Sequence, residues 1–177
     1  MIKNKLKIAV SSCLLGEAVR YDGTDKHIDY ITQQLAREYN LISLCPEMAV
    51  GMGVPRPPIH LVNNGNIIEA LGVDDSSNNM TNQLIEYGRK IVGIHSDICG
   101  YIFKKNSPSC GIENVKILNT QGHYECKGKG LYAETIMNAL PSLPVIDEDD
   151  CLNIKKMDAF LYDVVMYSGK LHSKNRS

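Results

Sequence analysis

The sequence predicts an α/β fold: one domain over residues 1–177, built on a mostly parallel sheet flanked by helices, with a small hairpin insertion. Three observations predict it. Short β-branched apolar runs alternate with segments of helical spacing, the pattern of a sheet covered on both faces. The runs are continuous rather than alternating, as buried strands are. At 177 residues with 44% apolar and 22% charged content, the chain fits a single well-filled core.

The elements follow in order. KLKIAV (5–10) reads as a first buried strand, and SSCLLGEAVRYDGTDK after it as a loop. HIDYITQQLAREYN (27–40) places Ile28, Ile31 and Leu35 on one helix face, with Asp25 as a predicted N-cap. LISL (41–44) is a second strand, followed by the proline-stiffened loop CPEMAVGMGVPRPP. Residues 59–71 read as a hairpin around Asn64-Gly65. Residues 79–98 suit a helix with Met80, Leu84, Ile85, Ile91, Val92 and Ile98 on one side. YIFK (101–104) is a third strand, and a polar, glycine-rich stretch follows it. GLYAETIMNAL (130–140) is a short helix, LPVID (143–147) a fourth strand and DAFLYDVVMYSG (158–169) a closing helix.

Charge and hydropathy narrow the partners. The net charge of −1 carries no broad attraction to nucleic acid or membrane, although a small local patch would escape such a count. No apolar run reaches the roughly 18 residues of a spanning helix. The start, MIKNKLKIAV, is basic but has only a short apolar run, so no signal peptide and a cytoplasmic location are expected.

Six cysteines stand at 13, 45, 99, 110, 126 and 151, with no CxxC. In the cytoplasm they are expected to stay reduced. Cys13 follows the first strand, Cys45 the second and Cys110 the third. Ligands of parallel sheets gather beyond the carboxyl ends of the strands, so these three thiols are predicted to emerge at one edge. Cys99 precedes its strand and belongs at the opposite edge. Cys126 and Cys151 lie in polar segments and are read as structural or incidental. Three convergent thiolates suit zinc, which usually takes a fourth ligand, or an iron–sulfur cluster with one iron open. No histidine (His27, His60, His95, His123, His172) stands in a ligand-like motif; surface or helix-end positions are expected for all five.

The stretches SSCLLGEAVRYDG, LCPEMAVGMGVPRPPI and GYIFKKNSPSCG, followed by GKGLYA, resemble the DUF523 family, which includes the thiouracil desulfurases. The likeness runs from about Lys7 to about Pro144. It implies a [4Fe-4S] cluster held by Cys13, Cys45 and Cys110 with one open iron, and a small thiolated pyrimidine as substrate, with no free nucleic acid expected and thiolated tRNA left open as a source. It implies Glu47 and Ser107 as catalytic residues: the open iron takes the exocyclic sulfur, water attacks the carbon, and Glu47 accepts the proton. Ser107 would orient the water, bind the ring or relay a proton. Net oxidation state is unchanged, in keeping with the missing dinucleotide fingerprint.

Around these residues, Arg20, Tyr21, Arg56, Lys104 and Lys105 are pocket or surface candidates; Arg56, between Pro55 and Pro57, is placed in the pocket. The acidic run at 147–150 reads as a solvated turn. The alternative functions are a zinc- or cluster-binding regulatory module without turnover, and a flavodoxin-like binding protein whose cysteines are merely buried.

Overall fold

The structure, a computed structural model, describes residues 5–174, with side chains described as far as Leu171. The basic start at residues 1–4 and the His172 side chain lie outside the described residues. The chain forms one α/β domain with two sheets. The elements in order are β1 (Lys7–Ser11), a 3₁₀ turn (Ser12–Leu15), a wide helical turn (Tyr30–Leu35) running into α1 (Ala36–Glu38), β2 (Asn40–Leu44), α2 (Pro46–Ala49), β3 (Ile59–Asn63) and β4 (Ile68–Gly72). They continue with α3 (Thr81–Ile94), β5 (Ile98–Phe103), β6 (Val115–Asn119), β7 (Tyr124–Gly128), α4 (Leu131–Ala139), β8 (Val145–Asp147), α5 (Glu148–Cys151) and α6 (Ile154–Lys174).

The first sheet has the order β2-β1-β5-β8 and is parallel throughout. Its strands are the four that the continuous apolar runs predict. Ile8, Val10 and Ile102 point to the face covered by α6, through Met157, Phe160 and Val164, and by Ile31 and Leu35 of the wide turn. Ala9, Tyr101 and Phe103 point to the other face, against Tyr132, Ala133 and Ile136 of α4 and Ile91 of α3. This two-sided burial is why the strands are apolar without alternation.

The second sheet has the order β4-β3-β6-β7 and is mixed. The hairpin around Asn64-Gly65 forms β3 and β4 as predicted. It does not stand alone: β3 pairs in parallel with β6, and β6 turns back into β7. The stretch read as polar and glycine-rich therefore holds two strands. Their signal is the alternation of buried Val115 and Ile117 with exposed Lys116. It is short, and β7 is exposed over most of its length, so hydrophobicity alone does not reveal it. Leu84 of α3 and Leu131 of α4 pack beneath this sheet. The same two helices thus support both sheets.

Other boundaries moved for physical reasons. Asp25 does not cap the following helix: its Oδ1 accepts the amide of His27 at 2.9 Å and closes a local turn. The helix predicted over 79–98 stops at Ile94, and Ile98 instead opens β5, where sheet pairing outweighs helical spacing. Cys99 therefore lies within β5, at its amino end. No helix among the described residues is long and apolar enough to cross a membrane.

Candidate functional site

β1, β2 and β5 end together at one edge, Ser11 level with Leu44 and Val10 level with Ile102. The chain leaves β1 toward β2 on one side and later returns to β5 on the other, so this edge is a switch point in strand order. A cavity of about 240 Å³ opens there. Cys13, Cys45 and Cys110 all border it, with Glu47, Ser107, Arg20, Tyr21, Arg56, Lys104 and Lys105. The predicted convergence of the three thiols on one edge is what the fold does. Cys99 borders a separate surface hollow at the opposite edge, beside Lys7 and Asp97. Cys126 is exposed on β7, and Cys151 is buried in α5.

Local geometry sets each side chain. Cys13 rides on the 3₁₀ turn after β1. Cys45 precedes α2, whose Pro46 opens the helix and whose Glu47 occupies the first turn, both favoured there. Ser107 Oγ accepts the amides of Ser109 (3.2 Å) and Cys110 (3.0 Å), which closes the SPSC turn. That turn docks on the start of α4: Leu131 N donates to Pro108 O and Ala133 N to Ser109 O, each at 3.0 Å. Gly130 makes the docking possible, because a Cβ there would lie 2.5 Å from the Ser109 carbonyl carbon.

Glu47 is held from two sides. Arg56 donates from Nε (2.9 Å) and Nη2 (2.6 Å) to Glu47 Oε2. Ser109 Oγ donates to Oε1 at 2.8 Å. Arg56 is buried and is itself fixed by the carbonyls of Gly53 (2.7 Å) and Val19 (2.9 Å). The pocket position expected for Arg56 is observed, and its guanidinium serves the carboxylate rather than open space. Arg20 bridges to Asp22 at 3.5 Å and lies over the Tyr21 ring, 5.7 Å from its centroid, so it makes a surface pair while lining the cavity.

The acidic run is more than a solvated turn. Asp147 is buried and caps α5, its Oδ1 accepting the amides of Asp149 and Asp150 at 3.0 Å each. Glu148 accepts Lys104 Nζ and the Lys105 amide, and Asp149 accepts Lys105 Nζ at 2.6 Å. These acids hold the strand-to-loop segment that leads to Ser107. Ser109, which holds Glu47, and Glu148, which holds Lys104, stand behind the cavity wall and were missed by sequence reasoning. Ser109 is not distinguished from Ser107 by anything in its own turn. Glu148 carried a signal, an acidic first turn behind a capping aspartate, that points to a helix start.

The cofactor expectation is corrected. Among the described residues, no group of three or more His, Cys, Asp or Glu side chains is arranged to hold a metal ion. The [4Fe-4S] cluster on Cys13, Cys45 and Cys110 with one open iron therefore has no ligand set here, and a zinc module meets the same finding. The three cysteines border one cavity without forming such a group. Burial pushes the Cys13 thiol up to about 11, with Lys104 pulling it back in part. Burial also raises Cys45, which the amides of Met48 and Glu47 partly offset. Cys110 is pushed well above the ordinary range by burial, then by Glu47 and Cys45, with the Ser11 hydroxyl lowering it. The residues do not fit the group.

Comparison with known proteins points in one direction. A family model described as 2-thiouracil desulfurase matches residues 8–148. The uncharacterized protein YbbK of Bacillus subtilis (strain 168) is 33% identical over 115 residues, covering 59% of this chain and 72% of that one. A solved structure described as a [4Fe-4S]-dependent thiouracil desulfidase aligns with a TM-score of 0.66 at 28% identity, over 90% of this chain and 99% of the other.

Proposed function

This chain is a desulfurase-type enzyme that belongs to the 2-thiouracil desulfurase family, and from that premise we propose that its cavity takes a thiolated pyrimidine and replaces the exocyclic sulfur with oxygen from water. The observation that carries the reading is the pairing, in one cavity, of a held carboxylate, Glu47, with three thiols at the carboxyl edge of the parallel sheet. A cavity of about 240 Å³ suits a single small ring better than a drug-sized ligand.

The reaction converts a ring C=S and water into a ring C=O and H₂S. Water attacks the sulfur-bearing carbon, and Glu47 takes its proton as the C–O bond forms. The C–S bond then breaks. Both protons of the water end on the departing sulfur, one of them by way of Glu47. No electrons are exchanged, so the step needs no oxidant or reductant. General-base help of this kind is worth roughly 10²–10⁴ in rate.

Ser107 has a narrower role than a relay. Its oxygen already accepts two amides, which fills its acceptor capacity and leaves its hydrogen to give. We assign it as a donor to the ring or to the departing sulfur. Cys13, Cys45 and Cys110 supply the soft wall around that sulfur, with S–H groups as weak donors. A cytoplasmic site of action and a single domain over residues 1–177 belong to the same reading. All six cysteines are free, which supports a reducing compartment.

The test is sulfide and oxo-pyrimidine formation from 2-thiouracil and from 4-thiouracil. Equal amounts of both products are expected, with Glu47→Gln folded but at least about a hundredfold slower. A folded wild-type protein that releases no sulfide from either compound would end the proposal.

A further inference from the structure

The two groups that hold Glu47 divide its oxygens unequally. A carboxylate has roughly four lone-pair sites, about two on each oxygen. Both donors from Arg56 go to Oε2, and Ser109 takes one site on Oε1. Among the described residues one site is left open, on Oε1. Neither holding group is free to shift. Arg56 is tied to Gly53 and Val19 through its side chain, and its own amide donates to Tyr21 O at 2.9 Å. Ser109 is fully buried, its backbone pinned by Ser107 Oγ and by Ala133 N. The three residues come from helix α2, the loop that follows it and the distant SPSC turn, so their agreement on one carboxylate is a product of the fold.

We propose that Ser109 and Arg56 are positioning residues that leave Glu47 a single acceptor direction, so that it collects a proton from a water on one side of the substrate ring only. This rests on Glu47 being the base. Ser109 is the informative member, because it selects between the two sites of the working oxygen and carries no charge. Removing it opens a second acceptor site on Oε1 and lets the carboxylate turn about the Arg56 contact.

The experiment is a crystal structure of Ser109→Ala, paired with steady-state kinetics on the preferred thiouracil. In the crystal, the Glu47 carboxylate is expected to adopt a second orientation. In kinetics, kcat is expected to fall roughly tenfold to a hundredfold, the value of a hydrogen bond to a charged group, while KM changes less than about threefold. The loss should shrink to under about threefold when Ser109→Ala is made in the Glu47→Gln background, since the two act as one unit. An unmoved Glu47 carboxylate in the crystal would overturn the proposal whether or not the protein turns over. So would wild-type kcat in Ser109→Ala, or an equal loss in both backgrounds, which marks a merely structural serine. Absence of wild-type sulfide release, by contrast, sinks the parent reading.

Discussion

The two edges of the parallel sheet carry the same residue types and do different things with them. Each has a hollow, a cysteine and a lysine–acid pair. At the amino edge, Lys7 and Asp97 meet at 2.5 Å in the open, and a single cysteine, Cys99, is packed into the core with its thiol donating to the Asp97 carbonyl. At the carboxyl edge, the Lys104–Glu148 and Arg56–Glu47 pairs are largely covered, and three thiols share the cavity. The difference is made by the connections. Loops leaving β1, β2 and β5 must cross the carboxyl edge to reach their next elements, so they stack on one another and exclude water. The amino edge receives chains that have already been packed. Residue type alone does not make a site here; desolvation by converging loops does.

Four experiments would break or sharpen that contrast. The largest effect is expected from Glu47→Gln, a loss of roughly 10²–10⁴ in sulfide release, against no change for Asp97→Asn at the other edge. Equal loss in both would remove the distinction. Next, Arg56→Met strands a covered carboxylate and should cost roughly 3–5 kcal/mol in denaturant unfolding, whereas Lys7→Met at the exposed pair should cost under about 1 kcal/mol.

Gly130→Ala should destabilise by about 1–3 kcal/mol, because its methyl would enter the Ser109 backbone. Gly93→Ala in α3 meets nothing within 4 Å and should instead stabilise by roughly 0.5–1 kcal/mol. Both are read from chemical melts, and a Gly130→Ala protein as stable as wild type would refute the close docking of the SPSC turn on α4.

The last test is a pH profile of stability. Burial, then Glu148 and Asp147, pushes the Cys151 thiol from about 9 up to about 11. The folded state therefore keeps a proton that the unfolded chain gives up. That contribution is whole below pH 9 and is lost as pH rises toward 11, up to roughly 2–3 kcal/mol. Cys151→Ala should flatten this part of the profile; an unchanged alkaline slope would show that the thiol is not the group responsible.

Much of this was legible beforehand, and the reasons are specific. The four strands of the parallel sheet are visible because burial on both faces forces unbroken apolar runs such as KIAV and YIF. Cys45 follows its strand at once, and Cys13 and Cys110 follow theirs within a few residues, so their meeting at one edge is implied by parallel pairing. Strands β6 and β7 were not legible, because one of them is exposed over most of its length and carries no apolar face. The clamp on Glu47 was not legible either. Arg56 stands nine residues from Glu47 and Ser109 sixty-two, and nothing local to either marks a carboxylate as its partner.

By itself the sequence determined the layered fold, the edge at which the thiols gather and the kinship with 2-thiouracil desulfurases, since apolar periodicity and ordered motifs are local properties of the chain. Only the tertiary structure decided that the thiols border a cavity without forming a metal-ligand set, that Glu47 is held by Arg56 and Ser109, and that the acidic run secures the loop beside them. Those outcomes depend on angles and distances between loops far apart in the chain, which are fixed when the loops pack and water leaves, and a one-dimensional pattern holds no record of them.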